Sequence, residues 1–229
     1  YRQLMKHPQF RADWSHSSAN EFGRLAQGIG GRIKGTDTIR FVSKTAVPPA
    51  RYKDVTYGKF VCEIKPNKSE IHRTRLTVGG DKVNYPDDVG TPTADLLLVK
   101  THLNSVISTR NARYMTLDIK NFYLNTPMKR PEYMRIKISD IPVEFIEEYN
   151  LTGTDRDGWI YFEITKGVYG LKQAGKLAND LLDKCLGELG YYQCATTPGL
   201  WQHQWRPIVF VLIVDDFGIQ YVGQQHAYK

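Results

Sequence analysis

Seven apolar residues in a row, Ile208–Val214, run straight into two carboxylates, Asp215-Asp216. The run is a short buried strand with a charged tip, and Ile219–Val222 reads as the second strand of a hairpin. Seven residues fall far short of the ~20 that cross a bilayer, and no longer apolar run exists, so no membrane span is expected. Like charges ~4 Å apart repel by roughly 4 kcal/mol at an effective dielectric of ~20, so a cation is expected beside them. Mg²⁺ suits carboxylate oxygens. The plain alternative is that Asp-Asp only makes the turn.

A second strand sharpens that choice. Over Arg113–Lys120, Met115, Leu117 and Ile119 point one way and Thr116, Asp118 and Lys120 the other, a half-buried alternation. Asp118 precedes Asp215 by 97 positions (215 − 118), so the two converge only if their strands are neighbours. Two strand-end carboxylates meeting across a sheet are what two-metal phosphoryl and nucleotidyl transfer requires. An apolar strand ending in Asp-Asp also suits an ATPase, but the phosphate loop that reading needs is absent: Gly30–Gly35 before Thr36 lacks the lysine. The six histidines show no metal-ligand spacing. Cys62, Cys185 and Cys194 suit neither a disulfide framework nor a zinc site, which points to a reducing compartment. Two glycosylation-like triplets, at Asn67 and Asn150, are chance matches without a secretory signal.

Helices are expected to alternate with these strands. Ser18-x-x-Glu21 resembles a capping box before Phe22, Leu25, Ala26 and Ile29, and Gly28–Gly35 ends that helix. Residues 39–47 and 55–64 read as strands. Thr91-Pro92-Thr93 opens a helix with Leu96, Val99, Leu103, Val106 and Ile107 inward. Leu171–Leu189 is the clearest helix, with Leu171, Ala174, Ala178, Leu181, Leu182, Cys185 and Leu189 in register and Gly190 as its stop. The order is mixed, an α+β reading. At 229 residues the chain holds one large domain or two interleaved small ones. Residues 1–120 carry 20 basic and 11 acidic side chains, residues 121–229 carry 11 and 13, so the basic half is expected to meet a polyanion. The acidic group Asp140, Glu144, Glu147, Glu148, Asp155 and Asp157 reads as an exposed, solvated segment. Tyr1 is followed by no secretory signal, and the chain reads as a piece of a longer one.

Five blocks then occur in an order that carries a resemblance. Thr165-Lys166-Gly167-Val168-Tyr169-Gly170-Leu171-Lys172-Gln173-Ala174 is similar to the "LYGLKQA" block of copia-type LTR-retrotransposon reverse transcriptases. Leu117-Asp118-Ile119-Lys120-Asn121-Phe122-Tyr123-Leu124-Asn125 resembles that family's "DVKTAFLNG", and Tyr133-Met134 the "VYM" after it. Leu212–Asp216 resembles "YVDD", and Arg73–Asp81 resembles "KARLVAKGD". The blocks span roughly residues 4–223. Departures are Ile213 where the family has Tyr, Gly175-Lys176 and Leu177 where Pro-Arg and Trp are usual, and Phe122 where a small residue stands.

The resemblance implies a right-hand polymerase with fingers (1–92 and 129–167) and palm (93–128 and 168–229), the thumb missing after the Asp-Asp hairpin. It implies RNA-directed DNA polymerase activity, two-metal nucleotidyl transfer onto a primer 3′-hydroxyl. Asp118 and Asp215 would hold two Mg²⁺ ions (Mn²⁺ as a substitute), with the Ile119 backbone carbonyl as a ligand and Asp216 supporting. Arg73 and Arg75 would grip a deoxynucleoside triphosphate, Gln173 would contact it, and Tyr123 would be the steric gate against a 2′-hydroxyl. Lys172 and Lys176 would meet nucleic acid. Implied partners are an RNA template, an RNA/DNA hybrid with primer, and the integrase and ribonuclease H of a polyprotein, in an intracellular, cytoplasmic virus-like particle. The rival reading is a non-catalytic nucleic-acid-binding remnant of the same fold.

Overall fold

Pro8 lacks an N–H to leave unpaired and holds φ ready for a helix, so the first long helix opens there and runs 18 residues. The computed structural model describes residues 1–153 and 157–227. In chain order the helices are α1 (Arg2–Lys6), α2 (Pro8–Leu25), α3 (Leu96–Ser108), α4 (Val143–Glu148) and α5 (Ala174–Glu188). The strands are β1 (Gly28–Ile29), β2 (Ile33–Lys34), β3 (Ile39–Val42), β4 (Thr56–Ile64), β5 (His72–Val78) and β6 (Ala112–Asp118). They continue as β7 (Pro127–Lys137), β8 (Trp159–Lys166), β9 (Tyr191–Gln193), β10 (Leu200–His203), β11 (Ile208–Ile213) and β12 (Asp216–Val222). The architecture is mixed α+β, with one two-stranded and two five-stranded sheets. The chain divides into two units, Tyr1–Asp87 with Tyr123–Ala174 and Asp88–Phe122 with Gly175–Lys229. No helix among the described residues is long and apolar enough to cross a membrane.

The first unit holds the sheet β3-β8-β7-β4-β5, antiparallel except where β4 runs parallel to β7. One face buries Ile39, Phe162, Ile164, Met134 and Leu76 with Phe22 and Leu25 of α2. Helix α2 also covers the sheet edge. Ser17 Oγ accepts from Thr74 N at 2.8 Å, Glu21 Oε1 accepts from Leu76 N at 3.2 Å, and Tyr169 O accepts from Val78 N at 2.7 Å. Edge donors of β5 are thereby satisfied within the unit. This corrects the expected capping box: Ser18 lies mid-helix and donates back to Trp14 O, while the buried Glu21 serves β5. The polar first turns of α2 hid its true start. The strand expected over 39–47 stops at Val42, because Pro48 and Pro49 cannot donate to a ladder and 3₁₀ turns follow at Lys44–Ala46 and Pro49–Asp54. The acidic segment is paired, not merely solvated: Asp140 binds Arg2, Glu144 binds Arg32, Asp157 binds Lys44, and Glu148 accepts from Gly30 N. Asp155 lies outside the described residues. The Gly167–Ala174 block belongs to this unit, since Val168 and Leu171 are buried in its core.

The second unit holds the antiparallel sheet β6-β12-β11-β10-β9. Leu182 and Leu186 of α5 pack with Trp201, Phe210, Phe217, Ile219 and Tyr221 on one face. The inward stripe of α5 is thus Ala178, Leu182 and Leu186, whereas Leu181, Cys185 and Leu189 are exposed. Helix α3 is capped by Asp95, whose carboxylate accepts from Leu98 N at 2.7 Å. Its expected inner face is corrected as well: Leu96, Leu103 and Ile107 are 68%, 40% and 83% exposed. The reason is polar. His102 is buried, Ser105 Oγ donates to Gln220 at 2.9 Å, and Gln220 Nε2 donates to Thr109 Oγ1 at 3.2 Å.

Candidate active site

In the second unit the carboxylate facing Asp118 across the sheet is Asp216, not the expected Asp215. Strands β6 and β12 are antiparallel neighbours, and Asp216 stands directly opposite Asp118 in their register. Directly opposed residues have Cβ atoms about 4.5–5.5 Å apart, and like charges there destabilise the pair. Asp118 and Asp216 are exposed and Asp215 is half-buried. Ile119 N donates to Asp215 O at 3.1 Å, which ties the end of β6 to the hairpin turn. The Ile119 side chain packs against the core below, so the backbone beside Asp118 is anchored.

The turn itself is tight. Ile213 pairs with Asp216, leaving only Val214 and Asp215 between the strands, so the second strand starts at Asp216 rather than Ile219. Val214 adopts φ +61°, a left-handed conformation that a β-branched residue rarely takes. Such strain persists only where the surroundings impose it. Here β11 and β12 pair on both sides of the turn and impose it.

A cleft of about 560 Å³ opens on the Asp118 face of the sheet. Tyr114, Thr116, Asp118, Ile213, Asp216 and Gly218 contribute to its wall. Gly218 lets the Tyr114 side chain lie close: a Cβ would stand 2.4 Å from the Tyr114 hydroxyl oxygen and 3.0 Å from Val211. Tyr114 and Gly218 were not singled out from the sequence. The period-two count back from Asp118 through Thr116 was the signal for Tyr114.

Three carboxylates with a nearby backbone turn offer only hard oxygen donors, which fits Mg²⁺ or Mn²⁺. Among the described residues no group of three or more His, Cys, Asp and Glu is placed to hold a metal ion together. Mg²⁺ does not need one, because it keeps several waters and commonly takes one or two carboxylates plus substrate phosphates.

No family model matches the chain. The remaining expected site residues are therefore placed by their own surroundings. Arg73 pairs with Glu70 and lies 3.8 Å from Glu21. Burial alone would raise the Glu70 pKa, but Arg24 and Arg73 outweigh it and hold that carboxyl below its usual range. Arg75 lies over the Tyr169 ring at 4.9 Å, with its Nε buried and unpartnered. Tyr123 is half-buried against the first core, edge-on to Tyr169 at 5.4 Å. Gln173 is 1% exposed and donates to Glu132 at 3.2 Å. Glu132 is fully buried and also receives Arg51 and Arg130, an ion network the sequence reading missed for want of any local pattern. Lys172 is exposed, and Lys176, in the second unit, pairs with Asp180, which raises its pKa.

Proposed function

We propose that the chain is the reverse transcriptase domain of a copia-type retrotransposon polyprotein, an RNA-directed DNA polymerase with the first unit as fingers and the second as palm. The observation that carries the reading is the direct register of Asp216 with Asp118, with Asp215 in the turn beside them. Strand-end carboxylates 98 residues apart (216 − 118) have no fold-building reason to stand opposite one another, since their repulsion only weakens the sheet.

Asp118 and Asp215 would hold two Mg²⁺ or Mn²⁺ ions, with the Ile119 carbonyl as a further ligand and Asp216 adding charge. Bound there, the ions supply a lowered pKa at the primer 3′-hydroxyl and charge stabilisation for leaving pyrophosphate. The chain's own work is positioning. The strained turn fixes Asp215, and the Ile119–Asp215 hydrogen bond holds the two strand ends together. Arg73 and Arg75 share a strand face, opposite Glu63 and Val61, and would donate to the triphosphate, Arg73 exchanging its Glu70 pair for phosphate. The Tyr123 ring would exclude a 2′-hydroxyl. Lys172 and Lys176 would meet template or primer phosphates. Gln173 would act only through Glu132, as a positioning residue. The partners in this reading are an RNA template with a DNA primer, deoxynucleoside triphosphates and the rest of the polyprotein in a cytoplasmic particle.

The test is addition of one deoxynucleotide to a primer annealed to RNA, with Mg²⁺. Asp118→Asn and Asp215→Asn are each expected to abolish addition and leave hybrid binding unchanged. Variants that extend as well as the unaltered chain contradict the reading. Hybrid binding without any extension by the unaltered chain is the behaviour of a non-catalytic remnant.

A further inference from the structure

The first unit carries a second, separate concentration of charge. Counted by unit, 23 Lys and Arg stand against 16 Asp and Glu in the first, a net +7, while 8 against 8 leave the second neutral. Part of that excess converges on one pocket of about 300 Å³. Four cations, Lys44, Lys53, Lys82 and Arg135, line it together with Tyr52 and Tyr161. All six lie in the first unit.

The pocket is held in shape from below and from the side. Tyr161 is 5% exposed and packs with Val47 and Tyr133 on the sheet face opposite α2, making a rigid floor. Arg135 stands opposite Tyr161 on β8 and Tyr57 on β4 in register, and its guanidinium lies 4.6 Å from the Trp159 ring. Lys82 lies 5.7 Å from the Tyr57 ring, whose hydroxyl donates to Asp81 at 3.0 Å. Tyr52 Oη donates to Lys44 O at 3.2 Å, pinning the two 3₁₀ turns that form the rim.

The charges do not cancel. Lys44 donates to Asp157 at 2.9 Å, and that hydrogen bond raises its pKa. Among the described residues Lys53, Lys82 and Arg135 carry no ion pair. Three uncompensated cations over a tyrosine floor repel one another unless an anion joins them. A single carboxylate would leave most of that charge unanswered. Adjacent phosphates match it in charge and in acceptor number, with Arg135 offering a planar fork and the lysines point charges. The volume is at the lower end of small-ligand sites.

We propose that this pocket is a polyphosphate-recognition site, taking consecutive phosphate groups either from a free polyphosphate or from a nucleic-acid strand. It is independent of the carboxylates of the second unit and of the polymerase reading. Inorganic tripolyphosphate by calorimetry and a labelled short oligothymidylate by fluorescence polarisation are the two probes. Lys53→Gln/Lys82→Gln removes two cations from the pocket, and Lys34→Gln/Lys68→Gln removes two exposed charges elsewhere in the same unit. The pocket variant is expected to weaken binding by roughly tenfold, equivalent to ~1.4 kcal/mol, and the control variant to change it little. Loss confined to tripolyphosphate identifies a free polyphosphate as the source, and loss that includes the oligonucleotide identifies the strand. Equal effects of the two variants on both probes, or no tripolyphosphate binding below ~1 mM, overturn the proposal.

Discussion

Val214 concentrates the tension between stability and arrangement at this site. Its φ of +61° is one that glycine takes freely and valine resists. Strain of this kind costs about 1–3 kcal/mol, of which glycine's extra unfolded-state entropy returns a part. Val214→Gly is therefore expected to raise the unfolding free energy by about 1 kcal/mol, seen as a higher urea midpoint at unchanged slope, while loosening the placement of Asp215. A lower midpoint would contradict the strain. His102 makes a pH-dependent contribution. It is buried, with Nε2 unpartnered, and burial lowers its pKa below the ordinary ~6.5. The unfolded chain then binds the proton more readily, so stability is complete above pH ~6.5 and falls as pH drops through the folded value. His102→Asn should flatten that slope below about pH 6.5 in denaturation at each pH. An unchanged slope would assign it to other groups.

At the scale of elements, helix faces were the least legible part of the sequence. The alternation over Arg113–Lys120 and the apolar run at Ile208–Val214 located β6 and β11, because a period of two and a continuous run leave little choice of face. The aliphatic stripe of α3 misled because the sheet face it meets is polar, carrying Gln220 opposite Tyr114. The start of α2 misled because Ser18 bonds back to Trp14 within the helix and Glu21 serves a strand residue 55 positions away, which no local spacing records. The carboxylates were legible as residues, but which of them faces Asp118 was not, and the burial of Gln173 was not legible because burial is a property of the fold. Two substitutions separate these readings. Ile107→Ser, at 83% exposure, is expected to change stability by no more than about 0.5 kcal/mol. Glu21→Ala leaves the Leu76 N–H buried without its acceptor and is expected to cost about 1–3 kcal/mol. Chemical denaturation of both variants decides the matter, and the reverse order of effects would restore the aliphatic stripe of α3 to a core.

Across the whole molecule, charge and chemistry are divided. The first unit holds the net positive charge and the second, neutral overall, holds Asp216 opposite Asp118 with Asp215 in the adjoining turn. A basic unit binds polyanions without regard to sequence, whereas the carboxylates need a cation before they can act on one. The central claim is that the β6–β12 register makes Asp118, Asp215 and Asp216 a single divalent-cation site. Titration of Mn²⁺ into the protein, followed by loss of the free-ion electron paramagnetic resonance signal, tests that claim without requiring turnover. The account predicts saturable binding that Mg²⁺ displaces, and that Asp118→Asn and Asp215→Asn each remove. Titrations of both variants that overlay the unaltered protein would contradict it.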